Sequence, residues 1–290
     1  MLIKDLFMMA SFKFSIALII LLLIQHKASA QQEMRIVSAG GSITEILYAL
    51  GMASKIVATD TSSSFPQAAE NLPKVGYYRQ LSTEGVLKMM PTHVFAVKGV
   101  GPEAVLKQLQ TMGVSLHVFE HDKSVKGLQQ LVAQIGERVG RESSAQQLNA
   151  QIQQQLAILP TVNKVHKPIF LMSANERGLM AAGSNTVPDL LFNMLTLGNP
   201  FASFDGFKPI STESLLASGA SMIFLPQHQT RGMSAHSLCQ LPVLSSWAKI
   251  YGCNVHIVDP LLFLGLTPRL PEAAKQIAET INAASTPFYN

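Results

Sequence analysis

Short apolar runs bounded by polar or turn-forming residues set the pattern of the first hundred residues. Arg35–Ala39 (RIVSA), Lys55–Asp60 (KIVATD), Thr92–Val97 (THVFAV) and Ser115–Glu120 (SLHVFE) read as strands. Between the first two, Ser42–Gly51 (SITEILYALG) has helical spacing, with Ser42 and Glu45 at capping-box separation and Gly51 as a stop. Pro102–Gly113 predicts another helix, with proline in its first turn and glycine at its end. Strands that alternate with helices predict a parallel α/β sheet.

The period then changes. From Ser124 to Leu159 the pattern is helical, with a break at Gly140. Glu142–Leu159 runs without glycine or proline, and Leu148, Ile152 and Leu156 form a narrow apolar line along it. A helix of that length covers about 27 Å. It reads as a rod between two α/β halves, or as one more helix covering a sheet. After Pro160 the first pattern resumes: strands at KPIFLMSA, Ser221–Pro226 and Asn254–Asp259, helices at TVPDLLFNML and Pro271–Ile281.

The two halves echo one another. STEGVL begins at Ser82 and STESLL at Ser211, and each precedes a strand at the same offset, Val94 and Ile223. The fold class predicted is therefore α/β, with two similar lobes joined by a single long helix and a ligand cleft between them. Residues 31–141 form the N-terminal lobe, 142–160 the connecting helix and 161–290 the C-terminal lobe.

The first thirty residues stand apart. Lys4 and Lys13 precede an apolar run, Ser15–Ile24, too short to span a bilayer comfortably. Ala28–Ala30 follows with small residues, so residues 1–30 read as a secretory signal peptide cleaved after Ala30. An uncleaved anchor is the other reading. Without that segment the net charge falls from +4 to +2, which with no basic stripe excludes a nucleic-acid footprint. The only two cysteines, Cys239 and Cys253, could pair in an oxidising compartment, but spacing alone does not decide it.

Candidate chemistry is sparse. Gly40-Gly41-Ser42 followed far downstream by His256 and Asp259 could serve a secreted serine hydrolase, although Ser42 also suits a helix cap and His256 a core strand. No phosphate-binding or dinucleotide glycine pattern is present. His117 and His121 are four apart, but a strand and a loop separate them, which disfavours zinc. Five tyrosines occur in 290 residues, and two of them, Tyr77 and Tyr78, sit between Gly76 and Arg79. A phenol ordinarily loses its proton near pH 10. Ferric iron can hold it as phenolate, and tyrosine is a known haem ligand. A nearby guanidinium lowers the phenol pKa and can bond a haem carboxylate. On the residues alone, a packed surface turn is the stronger account of Tyr-Tyr-Arg.

Four segments, LPKVGYYRQLSTEGVL, MAAGSNTVPDLL, GFKPISTESLL and GLTPRLPEA, make the chain resemble the periplasmic haem-binding proteins of Gram-negative haem ABC importers. These fall within a wider group of cobalamin and ferric-siderophore carriers. The resemblance spans nearly the whole chain after residue 30. It implies a carrier and not an enzyme, a monomer that binds ferric haem as its transported ligand and delivers it to an inner-membrane permease. It implies Tyr77 as the axial iron ligand, Arg79 beside it, and Arg231 in QTRGM as a second cation holding the tyrosinate. Some relatives add a histidine ligand, but this chain has none between Lys167 and His228. The wider group docks to its permease through one glutamate per lobe, and the matching positions are Glu84 and Glu213. A siderophore or cobalamin carrier of the same fold is the nearest alternative.

Overall fold

A computed structural model describes residues 33–284. The expected signal peptide lies outside the described residues. The first half runs β1 (Ile36–Ala39), α1 (Gly41–Ala49), β2 (Ile56–Thr59), α2 (Gln67–Glu70), α3 (Thr83–Leu87), β3 (His93–Val97), α4 (Glu103–Thr111) and β4 (Ser115–Phe119). Two helices follow, α5 (Val125–Arg138) and α6 (Glu142–Ala157). The second half begins with β5 (Pro168–Asn175), β6 (Gly178–Ala182), α7 (Val187–Met194), β7 (Phe207–Ile210), α8 (Thr212–Ala217) and β8 (Met222–Pro226). It ends with α9 (Ala235–Cys239), α10 (Pro242–Tyr251), β9 (Val255–Val258), α11 (Pro260–Leu264) and α12 (Leu270–Ala284).

The strands form two sheets, ordered β2-β1-β3-β4 and β7-β6-β5-β8-β9. The first is wholly parallel. In the second, β5, β8 and β9 are parallel, while β6 and β7 add an antiparallel extension. The repeat seen in the sequence thus becomes a repeat of position. α3 leads into β3 and α8 into β8, and each of these strands lies between two parallel neighbours. It extends to a cross-strand pair: Phe95 lies opposite His117 and Phe224 opposite His256. Their ring centroids are 4.7 and 5.5 Å apart.

Parallel strands covered on both faces must be apolar on both. Val37, Ala39, Val94 and Ala96 face one cluster of the first sheet, while Ile36 and Phe95 on the same strands face another. In the second sheet Ile169, Leu171, Ile223 and Leu225 pack with Trp247 of α10, while Phe170 and Phe224 turn the other way. Those two inward faces belong to one continuous apolar cluster, completed by α1, α5, α7 and α12. α6 is the element by which the chain passes from one half to the other; its Ala145 and Ile152 are buried in that cluster.

Two expectations are corrected. The capping box does not form: Gly40 precedes α1 without a side-chain cap, and Ser42 lies inside the first turn. The reason is a neighbouring loop. Asp60 Oδ1 accepts from Gly40 N at 2.9 Å and Ser62 Oγ from Gly41 N at 3.1 Å, so the helix start needs no cap of its own. Ser42 is also not part of a triad, because its proposed partners are engaged elsewhere. His256 Nε2 is 2.8 Å from Asn254 Oδ1, and Asp259 caps α11 by accepting from Leu262 N. The cysteines, left undecided by the sequence, form a disulfide.

Candidate ligand site

The tyrosine loop runs from the carboxyl end of β2 to α3 and is held on both flanks. Thr59 pairs with it through Thr59 N to Pro73 O and Val75 N to Thr59 O, both 3.0 Å. Lys74 Nζ braces it from within, donating to Thr59 Oγ1, Ser63 O and Ala69 O. On the far flank Gly101 N donates to Tyr78 O and Leu81 N to Gly101 O. Gly76 takes φ +93°, the turn that the sequence implied. Its neighbour Tyr77 is left 42 % exposed, a large aromatic with no core to enter. Position and exposure both place this loop past the carboxyl ends of the parallel strands, where open α/β sheets bind ligands.

Tyr77, Tyr78 and Arg79 form one group. The two rings meet edge-on with centroids 4.7 Å apart. Arg79 Nε donates to Tyr78 Oη at 3.0 Å, and its guanidinium carbon lies 5.1 Å from the Tyr78 ring centre. Burial, then hydrogen bonding to Tyr77, pushes the Tyr78 phenol above its ordinary pKa, so it is the neutral partner. Burial opposes the charge on Arg79, but its bonds to Tyr77 and Tyr78 outweigh that and hold it firmly cationic. An exposed phenol beside a fixed cation and a neutral donor can accept a hard metal centre as phenolate.

The remaining candidates lie apart from this group. Arg231 is exposed on the turn after β8, at φ +52°. It makes no hydrogen bond or ion pair with Tyr77 or Arg79 among the described residues, yet it follows the strand equivalent to β3. Glu84 and Glu213 are exposed in the first turns of α3 and α8. Each helix is capped alike: Ser82 Oγ accepts from Gly85 N and Ser211 Oγ from Ser214 N, both at 3.1 Å. Bonding to its own backbone N–H, then to the Ser211 hydroxyl, lowers the Glu213 carboxyl below its usual value.

The sequence did not reveal what lies where the halves meet. Arg269, in the GLTPRL segment, donates two bonds to Glu45, Nη2 to Oε1 at 2.7 Å and Nε to Oε2 at 3.0 Å. The Glu45 side chain is only 3 % exposed, and burial raises its pKa against the pull of Arg269. The same guanidinium lies 3.7 Å from the centre of the Phe65 ring, on the first stretch of the tyrosine loop. Gly41 is glycine because a Cβ there would come within 2.4 Å of Leu261, across the same junction. Partners 224 residues apart leave no spacing signal. A glutamate at a position facing core within an apolar helix was the one clue.

Comparison with known proteins agrees with this architecture. A family model described as periplasmic binding protein matches residues 36–247. The periplasmic haem-binding protein RhuT from Roseiflexus sp. RS-1, in apo form, superposes with a TM-score of 0.79 at 27% identity, over 88% of this chain and 100% of that one. The periplasmic haem-binding protein HutB of Vibrio cholerae gives 0.77 at 32%, over 86% and 98%. By sequence, a vitamin B12-binding protein of Vibrio parahaemolyticus is 24% identical over 72% of this chain and 78% of its own length.

Proposed function

The chain belongs to the periplasmic binding protein family, and on that premise we propose that it is the haem-binding component of an ABC importer. The observation that carries this reading is Tyr77: an exposed phenol on a rigid glycine turn, beside Arg79, at the ligand-binding end of the sheet. Ferric haem is the cargo. Tyr77 supplies the axial oxygen to its iron, Arg79 stabilises the anionic oxygen, and Arg231 approaches from the other lobe. The lobes extend over residues 31–141 and 161–290, with residues 142–160 as the connecting rod. The protein acts in the periplasm, released there from its signal peptide, and hands haem to a permease contacted through Glu84 and Glu213. It is a carrier, with no reaction of its own.

The solved structures that resemble it, RhuT and HutB, are periplasmic haem-binding proteins, and this supports haem over its nearest rival. That rival is a cobalamin carrier, favoured by the B12-binding relative. Cobalamin brings its cobalt already ligated and offers no role for a phenolate flanked by a cation. Absorption titration of the purified protein with hemin, cobalamin and a ferric siderophore tests the choice. Saturable binding of hemin alone, with a phenolate-to-iron charge-transfer band, is the expected result. Binding of cobalamin in preference to hemin would overturn it.

A further inference from the structure

The most distinctive construction near Tyr77 surrounds Arg79, and it involves a residue to which the haem reading gives no role. Tyr78 holds the guanidinium in two ways, beside its bond to Tyr77, and Gly99 leaves it room. Tyr78 Oη accepts from Nε at 3.0 Å. The Tyr78 ring lies against the guanidinium carbon at 5.1 Å. Gly99, at φ +87°, lies close by: an added Cβ there would stand 3.3 Å from Nη1. The Tyr78 backbone is itself pinned, since its carbonyl accepts from Gly101 N at 3.0 Å. The glycine loop therefore fixes the tyrosine and leaves room for the arginine it holds.

We propose that Tyr78 is the positioning residue for Arg79, holding its guanidinium against a phenol, in the space that Gly99 leaves, so that it stands ready beside Tyr77. Arginine side chains lose much rotamer freedom when they bind, and a preformed cradle removes that cost from the binding step. Tyr78 Oη is an acceptor for Nε, and its ring supplies a face for the cation. These two functions separate in mutants. Tyr78→Phe keeps the face and loses the acceptor, and Tyr78→Leu loses both.

The inference rests on the haem reading only in its second readout. The first uses ligand-free protein: the Arg79 Nε–H resonance in a nitrogen-15 NMR spectrum. It should be slow to exchange in the wild type, faster in Tyr78→Phe, and lost into the solvent-exposed arginines in Tyr78→Leu. The second readout is hemin affinity. Tyr78→Leu should weaken binding about tenfold, and adding Tyr78→Leu to Arg79→Ala should cause no further loss, because the two act as one unit. An Nε–H signal indifferent to Tyr78→Leu would overturn the cradle, as would additive losses in the double variant. If the NMR result holds while hemin does not bind at all, the haem reading fails and the cradle stands.

Discussion

Two arginines meet aromatic side chains of the same loop, one with a carboxylate partner and one without, and they are built to opposite ends. At its start, Phe65 covers Arg269, which is doubly bonded to the buried Glu45 of the other half. At its close, Arg79 lies against Tyr78, and Tyr77 beside it stays 42 % exposed. The first group has every strong partner inside the protein. The second assembles a cation and a neutral phenol round Tyr77, whose own phenol faces solvent. A buried charge must be paired where it is, so the junction between lobes is complete. A site for a transported ligand must keep valence in reserve. The Glu45–Arg269 group therefore acts as a floor that fixes where the two halves meet, while under the proposed function the tyrosine loop is the part that meets the ligand.

The largest test breaks the floor. Arg269→Met leaves Glu45 buried and unpaired, and we expect it to lower unfolding free energy by about 3–5 kcal/mol in urea titration. Adding Glu45→Gln removes the stranded charge and should restore most of that loss. The phenolate band with hemin should persist in the double variant. If Arg269→Met unfolds at the wild-type urea concentration, the ion pair is not what sets the junction.

Tyr77→Phe tests the opposite region. An exposed hydroxyl contributes little to folding, so its melting temperature should match the wild type. Hemin affinity should fall about tenfold to a hundredfold, with the charge-transfer band gone, because porphyrin burial survives while the iron bond does not. Reduced stability with an intact band would reverse the roles assigned to floor and loop.

How far the sequence foretold these regions follows from the range of the signals involved. Gly76 followed by Tyr77, Tyr78 and Arg79 is contiguous, so a turn bearing two phenols and a cation could be read directly. The paired helix–strand units, α3–β3 and α8–β8, were equally legible because a cap, an amphipathic turn and a strand are all local. β6 and β7 went unrecognised: LMAA and FKPI are short, and one sits between glycines, so pairing of β6 with β5 and of β7 with β6 decides them more than propensity does. The helices around Trp247 were hidden by the small residues and the proline between them. Ser42 was misjudged because its partner rule is local, whereas Asp60 and Arg269 act on that helix from a distance.

His121 provides a third measure, since it lies past β4 on the same side as the tyrosine loop but is closed like the floor. Its Nδ1 is buried with no hydrogen-bond partner among the described residues, and burial, then the charge of Lys123, lowers its pKa to about 4. An unfolded imidazole titrates near 6.5. The unfolded chain thus takes up a proton first, and stability present above pH 6.5 is lost as pH falls toward 4. His121→Phe should flatten part of that decline in urea midpoints measured from pH 7 to pH 4, and His93, His117, His228 and His256, also lowered by burial, account for the rest. A decline as steep as in the wild type would mean that His121 is as open as Tyr77.

The smallest single effects belong to Glu84 and Glu213, which are neither floor nor site. They head matching helices, capped by matching serines, in the two lobes that the floor locks together. A rigid floor keeps their separation constant, which suits a partner that must engage both at once. Arginines on a permease would pair with them bidentately. Each exposed pair contributes only about 0–1 kcal/mol, so Glu84→Lys or Glu213→Lys alone should slow haem transport into permease-containing vesicles only mildly. Together they replace two attractions by two repulsions across one fixed span, and transport should nearly stop while hemin binding in solution is unchanged. Combining one of them with Arg269→Met sharpens the point: if the span matters, loosening the floor should make the single glutamate change markedly worse. A purely additive result would show that each lobe docks independently, and undiminished transport in Glu84→Lys/Glu213→Lys would place the docking surface elsewhere.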